Sequence, residues 1–338
     1  MKVLVTGSAG FLGSWLVEGL LQKGHDVIGV DNLRGGYEDN IVDHPRHTFF
    51  QRDILRLKSM DFVVAGCEAV YHCAALAYEG LSVFSPSLVS RNIVGGSVNV
   101  MTAAIRSGTV KRVINCSSMS RYGKGVTPFQ EWHIPAPVDP YGVAKVCVED
   151  QMTLLGKVHG VEVLHAVPHN VYGPRQCYTD PYRNVAAIMA NRALRGEPLV
   201  IYGDGYQKRC FSYITDILPT LLQLLDCKAE HGEIFNVGPD AESVVSIREL
   251  ATVVEEVCGT KGSMRLHYDP RPCEVQVATC SSGKIRQRFG YKSRTTLREG
   301  IESLVGYIRE RGPQPFRYHL PLEIITPKTP VTWKEQLI

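Results

Sequence analysis

Apolar runs alternate with longer helical patterns through the first half of the chain. The run Val3–Thr6 precedes a helical pattern from about Phe11 to Lys23, and a second run follows at Asp26–Val30. Strand–helix alternation of this kind predicts a parallel sheet, and uninterrupted apolar strands indicate helices on both sheet faces. The later predicted elements are strands at Thr48–Gln51, Ala69–Cys73, Arg112–Cys116 and Val161–Ala166, and helices near Arg91–Arg106 and Tyr141–Lys157.

The regular alternation stops after Pro168. Pro, Gly, Tyr and Arg become frequent in three stretches, and helical patterns then return at Ile214–Leu225, Ser246–Val257 and Thr296–Glu310. We therefore predict an α/β chain in which a smaller, loop-rich α/β substrate-binding domain covers the strand ends of a doubly wound parallel sheet. The predicted division is 1–168 with about 211–242 for the sheet domain, about 169–210 with 243–312 for the second, and 313–338 for a C-terminal arm. The arm is either packed in extended form or flexible.

Composition narrows the classes of partner. The 338 residues carry a net charge of +3, too little for the broad basic field that binds nucleic acid. The ten cysteines are scattered without a C-x-x-C pair, which favours reduced thiols and no metal site. No apolar run reaches about 18 residues, so no membrane span is expected. The short apolar start lacks the length of a signal segment, and we expect the cytoplasm.

Glycines follow the first predicted strand at a spacing that suits a phosphate. Gly7, Gly10 and Gly13, with Phe11 and Leu12 between the last two, open the first helix. The N–H groups at a helix N-terminus bind anions, and glycine allows close approach of the backbone. The spacing is G-x-x-G-x-x-G, and its position after a strand predicts a Rossmann-type dinucleotide-binding domain.

Acidic residues at the ends of the next two strands indicate which dinucleotide binds. Asp31, followed by Asn32, suits the adenosine ribose hydroxyls and would repel a 2′-phosphate, so we expect NAD. Arg34 nearby leaves NADP as the alternative. Asp53 either contacts the adenine amino group or caps its strand.

A serine, a tyrosine and a lysine form the candidate catalytic set. Ser118 follows the strand Arg112–Cys116, and Tyr141 and Lys145 stand four apart at the start of a helix, on one face. A phenol with a pKa of about 10 needs a nearby positive charge to act as a base at neutral pH. An ammonium about 5 Å away lowers such a pKa by roughly two units. The alternative is a core tyrosine, a solvated lysine and a strand-capping serine.

These motifs resemble an extended short-chain dehydrogenase/reductase of the nucleotide-sugar epimerase and dehydratase family. The matching segments cover about residues 1–312, among them Thr6–Gly13, Pro140–Lys145 and Asn170–Gln176. The resemblance implies NAD as cofactor and a nucleoside diphosphate sugar as substrate. It extends the cofactor contacts to Ile54, Ala74, Ala75, Asn92 and Ser117. It also assigns Asn170, Arg209 and Arg271 to the diphosphate, and Arg183 is a further cation in the loop-rich half.

Two residues decide which reaction the resemblance favours. Dehydratases of the family carry an Asp-Glu pair where this chain has Met119 and Ser120, and decarboxylating members usually keep a glutamate at the second position. Epimerisation at C4 through a transient 4-keto sugar needs no further acid or base. Alternatives are C2 epimerisation, reduction or dehydration, or a non-catalytic NAD-holding regulatory protein. The resemblance also implies a homodimer formed by the helices near Asn92–Arg106 and Tyr141–Lys157.

Overall fold

A seven-stranded parallel sheet forms the larger part of the protein. The computed structural model describes residues 1–240 and 243–338, so the predicted boundary at residue 242 lies outside the described residues. The sheet has the strand order β3-β2-β1-β4-β5-β6-β11. Its strands are β1 (Lys2–Thr6), β2 (Asp26–Asp31), β3 (His47–Gln51), β4 (Ala69–His72), β5 (Arg112–Cys116), β6 (Glu162–Pro168) and β11 (Glu233–Val237). The predicted doubly wound α/β sheet is confirmed.

Helices cover both faces of this sheet. Side chains alternate along each strand, so that Leu4 and Val70 pack under one helical layer while Val3 and Tyr71 pack under the other. The first layer consists of α2 (Leu57–Val63), α5 (Gly96–Ser107) and α6 (Pro140–His159). The second consists of α1 (Phe11–Gln22), α8 (Ile214–Gln223) and α10 (Gly283–Phe289).

The segment between β4 and α5 is less regular than the sequence predicts. Two short helices, α3 (Glu79–Ser82) and α4 (Pro86–Ser90), lead into a π-helical turn at Arg91–Gly95 that continues into α5. The helix predicted from Arg91 therefore begins with this turn, which contains Asn92. Such turns inside helices are frequent at functional sites.

A second, smaller region lies over the carboxyl ends of the strands. The helices α7 (Val185–Leu194), α9 (Ile247–Cys258) and α11 (Leu297–Arg311) share one apolar core. Short strands complete it in three small sheets. They are β7 (Val171–Tyr172), β8 (Leu199–Tyr202), β9 (Lys208–Cys210), β10 (Ser212–Tyr213), β12 (Val244–Ser246), β13 (Arg265–Tyr268) and β14 (Val277–Ala278).

The chain ends in an arm that packs back onto the protein. After α11 it runs without regular structure to a short helix, α12 (Val331–Lys334). Leu320 and Trp333 are buried in the core that also holds α2, α5 and α6. Of the two states predicted for this tail, the packed arm is the one observed. Within the described residues, no helix is long and apolar enough to cross a membrane.

Candidate active site

A cavity of about 460 Å³ lies between the sheet and the smaller region. The carboxyl ends of all seven strands meet at one edge, and the strand order reverses direction between β1 and β4. Ligands of open α/β sheets bind at this reversal, because the connecting loops diverge there and leave a crevice. Every residue predicted for cofactor or substrate lines this cavity except Asp53.

The glycine loop after β1 is tightly packed against the next strand. Gly7 has a φ of +72°, and a Cβ there would lie 2.8 Å from the backbone nitrogen of Ala74. A Cβ on Gly13 would lie 1.9 Å from the carbonyl oxygen of Gly7. Only glycine fits these two positions, and the loop leaves the N-terminus of α1 facing the cavity with Phe11 and Leu12 among the lining residues. This arrangement fits a pyrophosphate.

Asp31 is held at the end of β2 by the backbone of two loops. Its carboxylate accepts hydrogen bonds from the backbone N–H of Ala9 at 3.1 Å and of Leu33 at 2.8 Å. Burial raises its pKa, and these backbone hydrogen bonds oppose the rise. The side chain lines the cavity beside Asn32, where hydroxyl donors of a ribose fit it.

Asp53 lies behind Asn32 and reaches the cavity only through that residue. It accepts hydrogen bonds from the Asn32 side chain at 3.2 Å and from the backbone of Leu55 at 2.9 Å. It is absent from the cavity lining, whereas its neighbour Ile54 is part of it. Its position fits a strand-end cap that orients Asn32.

The three candidate catalytic residues line the same cavity. Ser118 follows β5, and Tyr141 and Lys145 lie in the first turns of α6. The Lys145 ammonium lies 5.8 Å from the centre of the Tyr141 ring. It donates a hydrogen bond of 2.8 Å to the carbonyl oxygen of Cys116, which fixes it at the end of β5. The helix and the strand therefore hold the set together from two sides.

Burial has the largest effect on the pKa values of Tyr141 and Lys145. It raises the pKa of the Tyr141 phenol, and hydrogen bonding with the Ser118 hydroxyl opposes that rise. Burial also lowers the pKa of Lys145, with the thiols of Cys116 and Cys73 acting the other way. The positively charged nicotinamide ring of oxidised NAD, bound beside Tyr141, would favour the phenolate further, because an opposite charge stabilises the ionised form.

A buried ion pair connects the turn that follows Ser118 to helix α6. Arg121 donates from Nε to both carboxylate oxygens of Glu149, at 3.0 and 2.9 Å. The hydroxyl of Ser117 also donates to Glu149. Glu149 stands one turn beyond Lys145 on α6, and Arg121 belongs to the turn after Ser118. The pair thus joins the two segments that carry the catalytic set.

Cationic side chains line the second half of the cavity. Arg209 and Arg271 share the carboxylate of Glu274, at 3.7 and 3.0 Å. Arg183 is paired with Asp180 at 3.2 Å. The backbone of Asn170 has a φ of +35°, and its amide donates to the carbonyl oxygen of Cys210 at 2.9 Å. One anionic ligand can therefore meet several donors here.

Ser120 lines the cavity directly beside Ser118. Its backbone N–H donates to the Ser118 hydroxyl oxygen at 3.2 Å. Met119 lines the cavity as well. Neither side chain is a general acid or base, and the turn after β5 brings no carboxylate to the catalytic set.

Several lining residues were not predicted from the sequence. Gly80, Tyr182 and Tyr202 lie in segments without a recognisable motif, and Trp333 and Ile338 lie in the arm. Proximity in the folded chain places them in the cavity, and nothing in their local sequence indicates it.

Comparison with known proteins finds nucleotide-sugar enzymes of similar sequence. A family model described as the NAD dependent epimerase/dehydratase family matches residues 3–238. A UDP-glucose 4-epimerase of Mycolicibacterium smegmatis is 31% identical, over 92% of this chain and 99% of its own. A UDP-N-acetyl-alpha-D-glucosaminuronate decarboxylase of Bacillus cytotoxicus is 32% identical, over 91% and 98%.

A solved structure shows the same architecture with ligands bound. The UDP-glucuronic acid 4-epimerase of Bacillus cereus, in complex with UDP-glucuronic acid and NAD, matches with a TM-score of 0.85. It is 27% identical, over 92% of this chain and 100% of that one.

Proposed function

The chain belongs to the NAD-dependent epimerase/dehydratase family, and from that membership we propose that it inverts the configuration at C4 of a UDP-linked sugar. It is an NAD-dependent enzyme acting on nucleotide sugars. The observation that carries C4 inversion is the catalytic set itself: Ser118, Tyr141 and Lys145 meet in the cavity, while Met119 and Ser120 stand beside them in place of a second acid and base.

The chain's own residues supply binding and proton transfer. The glycine loop and Asp31 would hold NAD, which would supply the acceptor and donor for the hydride of C4. Tyr141, as phenolate, takes the proton of the C4 hydroxyl and gives it back after the ketone has turned. Lys145 favours the phenolate by its charge, and Ser118 holds the same hydroxyl oxygen.

The diphosphate of the substrate is assigned to the cationic half of the cavity. Arg183, Arg209 and Arg271 supply planar donors that suit phosphate oxygens, and Asn170 adds an amide. Under this proposal residues 1–168 and about 211–242 bind NAD, and about 169–210 and 243–312 bind the nucleotide sugar. The two ligands then meet at Tyr141.

Product analysis tests the C4 assignment. The purified protein is incubated with UDP-glucose, UDP-N-acetylglucosamine, UDP-glucuronic acid and GDP-, CDP- and dTDP-glucose, and products are identified by NMR. We expect a mixture of C4 epimers from at least one UDP-sugar, without net consumption of NAD. A product lacking carbon dioxide or water, or one inverted at C2, would replace this proposal by decarboxylation, dehydration or C2 epimerisation. A protein that holds NAD and converts none of them would be a binding protein.

A homodimer is proposed from the outer face of α6. Val143, Leu154 and Val158 lie on this helix with 54%, 64% and 76% of their surfaces exposed. An apolar stripe of this kind marks an interaction surface, and a second copy of the same helix complements it by symmetry.

We also propose the cytoplasm as the site of action. The sulfur atoms of Cys73 and Cys116 lie 3.3 Å apart as free thiols, which fits a reducing compartment.

A further inference from the structure

The arm formed by residues 313–338 is attached to both sides of the cavity. On the side of the sheet, the Ser85 hydroxyl donates to the carbonyl oxygen of Pro321 at 2.6 Å. The carboxylate of Glu323 accepts the backbone N–H groups of Ser87 and Leu88, at 2.8 and 2.9 Å, and so caps the N-terminus of α4. These contacts fix the first half of the arm against the segment that follows β4.

The other side of the cavity holds the same arm. The Tyr182 hydroxyl donates to the carbonyl oxygen of Leu320 at 3.2 Å, and the Asn191 amide donates to that of Gln314 at 2.8 Å. Tyr182 precedes α7 and Asn191 lies within it. The arm therefore bridges the two regions between which the cavity lies, and it does so with backbone carbonyl groups that need these partners when buried.

The last helix of the arm forms part of the cavity wall. Trp333 lines the cavity with only 3% of its surface exposed, edge-on to the rings of Phe84 at 6.0 Å and Tyr182 at 5.5 Å. Its ring stands so close to Gly80 that a Cβ there would lie 3.1 Å from the indole. The same Cβ would lie 3.3 Å from the guanidinium of Arg271. The indole and this guanidinium thus converge on one point of the cavity wall.

A chain of contacts leads from the arm to the cationic residues. The Thr332 hydroxyl lies 2.5 Å from that of Tyr202, and the guanidinium of Arg271 stacks over the Tyr202 ring at 5.0 Å. Arg271 pairs with Glu274, which also faces Arg209. Thr332 is fully buried and Tyr202 is half-buried, so their hydrogen bond is partly protected from competition by solvent.

We propose that the arm is a positioning element of the nucleotide-sugar site, in which Thr332 and Trp333 hold Tyr202 and Arg271 in place for the nucleoside diphosphate. This inference rests on the nucleotide-sugar binding proposed above. The position of Trp333 in the cavity wall, beside Arg271, is what this role requires.

Binding of UDP to the NAD-loaded protein tests this role directly. Isothermal titration calorimetry with UDP is compared for the wild type, Trp333→Ala and Thr332→Val. We expect roughly tenfold weaker binding for Trp333→Ala and roughly threefold for Thr332→Val, with KM raised in proportion and kcat within about threefold. The double variant Tyr202→Phe/Thr332→Val should bind UDP no more weakly than Tyr202→Phe alone. Each substitution removes the same hydrogen bond, the one between Tyr202 and Thr332.

Matched variants separate positioning from general stability. Lys334→Ala changes an exposed neighbour in α12 and should bind UDP as the wild type does. Trp333→Phe keeps the aromatic wall and should restore most of the binding. NAD content and thermal unfolding are measured for every variant. Unchanged UDP affinity in both Trp333→Ala and Thr332→Val, or an equal loss of NAD and kcat, overturns the arm's role; a wild type that binds no UDP and converts no UDP-sugar overturns the proposed function itself.

Discussion

Tyr141 is the proposed base of the C4 epimerisation. Removal of its hydroxyl takes away the proton acceptor while the ring, the helix and the NAD site stay in place. We expect Tyr141→Phe to lower kcat by about 10³, in the range that general acid–base groups contribute, without loss of bound NAD. Steady-state kinetics on the best substrate measure this. Retention of more than about a tenth of wild-type kcat would rule out Tyr141 as the base.

Substitution of Arg121 or Glu149 should affect stability, because the charges of these two residues are buried together. Their side chains are 4% and 5% exposed. Removal of one charge leaves the other desolvated and without a partner, which typically costs about 3–5 kcal/mol, whereas an apolar pair of similar volume costs less. We therefore expect Arg121→Met and Glu149→Leu each to lower the free energy of unfolding by about 3 kcal/mol.

The double variant is the control for this pair. Arg121→Met with Glu149→Leu should be more stable than either single variant, as measured by urea unfolding. Additive losses in the double variant would show that the two side chains act independently and that no ion pair joins the serine turn to α6.

The N-cap of helix α6 is Asp139, a carboxyl group whose pKa is changed by burial. Its side chain accepts the backbone N–H of Gly142 at 2.8 Å. Burial, with Glu79 as the next contribution, raises its pKa from 3.8 to about 7. The folded protein therefore binds this proton more tightly than the unfolded chain. Its contribution to stability is complete below about pH 4 and is lost as the pH rises through about 7.

Asp139→Asn removes this dependence while keeping the cap, since asparagine caps helices as well as aspartate. Relative to the variant, the wild type should lose about 4 kcal/mol of unfolding free energy between about pH 4 and about pH 8, because the pKa differs by about three units between the folded and unfolded states. Urea unfolding of both proteins across this range gives the difference curve. A flat difference curve would mean that folding leaves the pKa of Asp139 unchanged.

Local sequence decides where other helices begin. Ser246 and Glu249 form a reciprocal capping box at α9, and Thr296 and Glu299 form another at α11. Both signals are contained within four residues, so the predicted starts agree with the observed ones to within one residue. The strand β11 and the helix α7 were not predicted, because their place depends on distant partners such as β6 and α9.

The whole molecule exposes an apolar stripe on the outer face of α6. Leu154→Glu places a charge in the centre of the face of α6 proposed for the dimer. A charge buried without a partner opposes association, so we expect the variant to be monomeric where the wild type is dimeric. Sedimentation velocity measures this, with Met264→Glu as the control for charge alone, because Met264 is similarly exposed (65%) but lies outside α6. A wild type that is monomeric at all concentrations contradicts the proposal.

The cofactor half of the site was predictable because its motifs are short and each of them follows a strand of the parallel sheet. Each strand of a parallel sheet ends at the same edge, so residues that follow the strands, such as Gly7, Asp31, Ala74 and Ser118, are brought together by the fold class alone. The arginines were harder to predict. Nothing adjacent in sequence distinguishes Arg183 or Arg271 from surface arginines, and their positions depend on loops of the smaller region.

The sequence by itself determined the parallel sheet, the glycine loop and the candidate catalytic set, because hydrophobic periodicity and short spacings act over a few residues. The tertiary structure alone decided which side chains close the cavity. Trp333 is 192 residues from Tyr141 in the chain, and Tyr202 meets Thr332 across 130. Contacts at such separations arise from packing of the whole chain, and no local pattern encodes them.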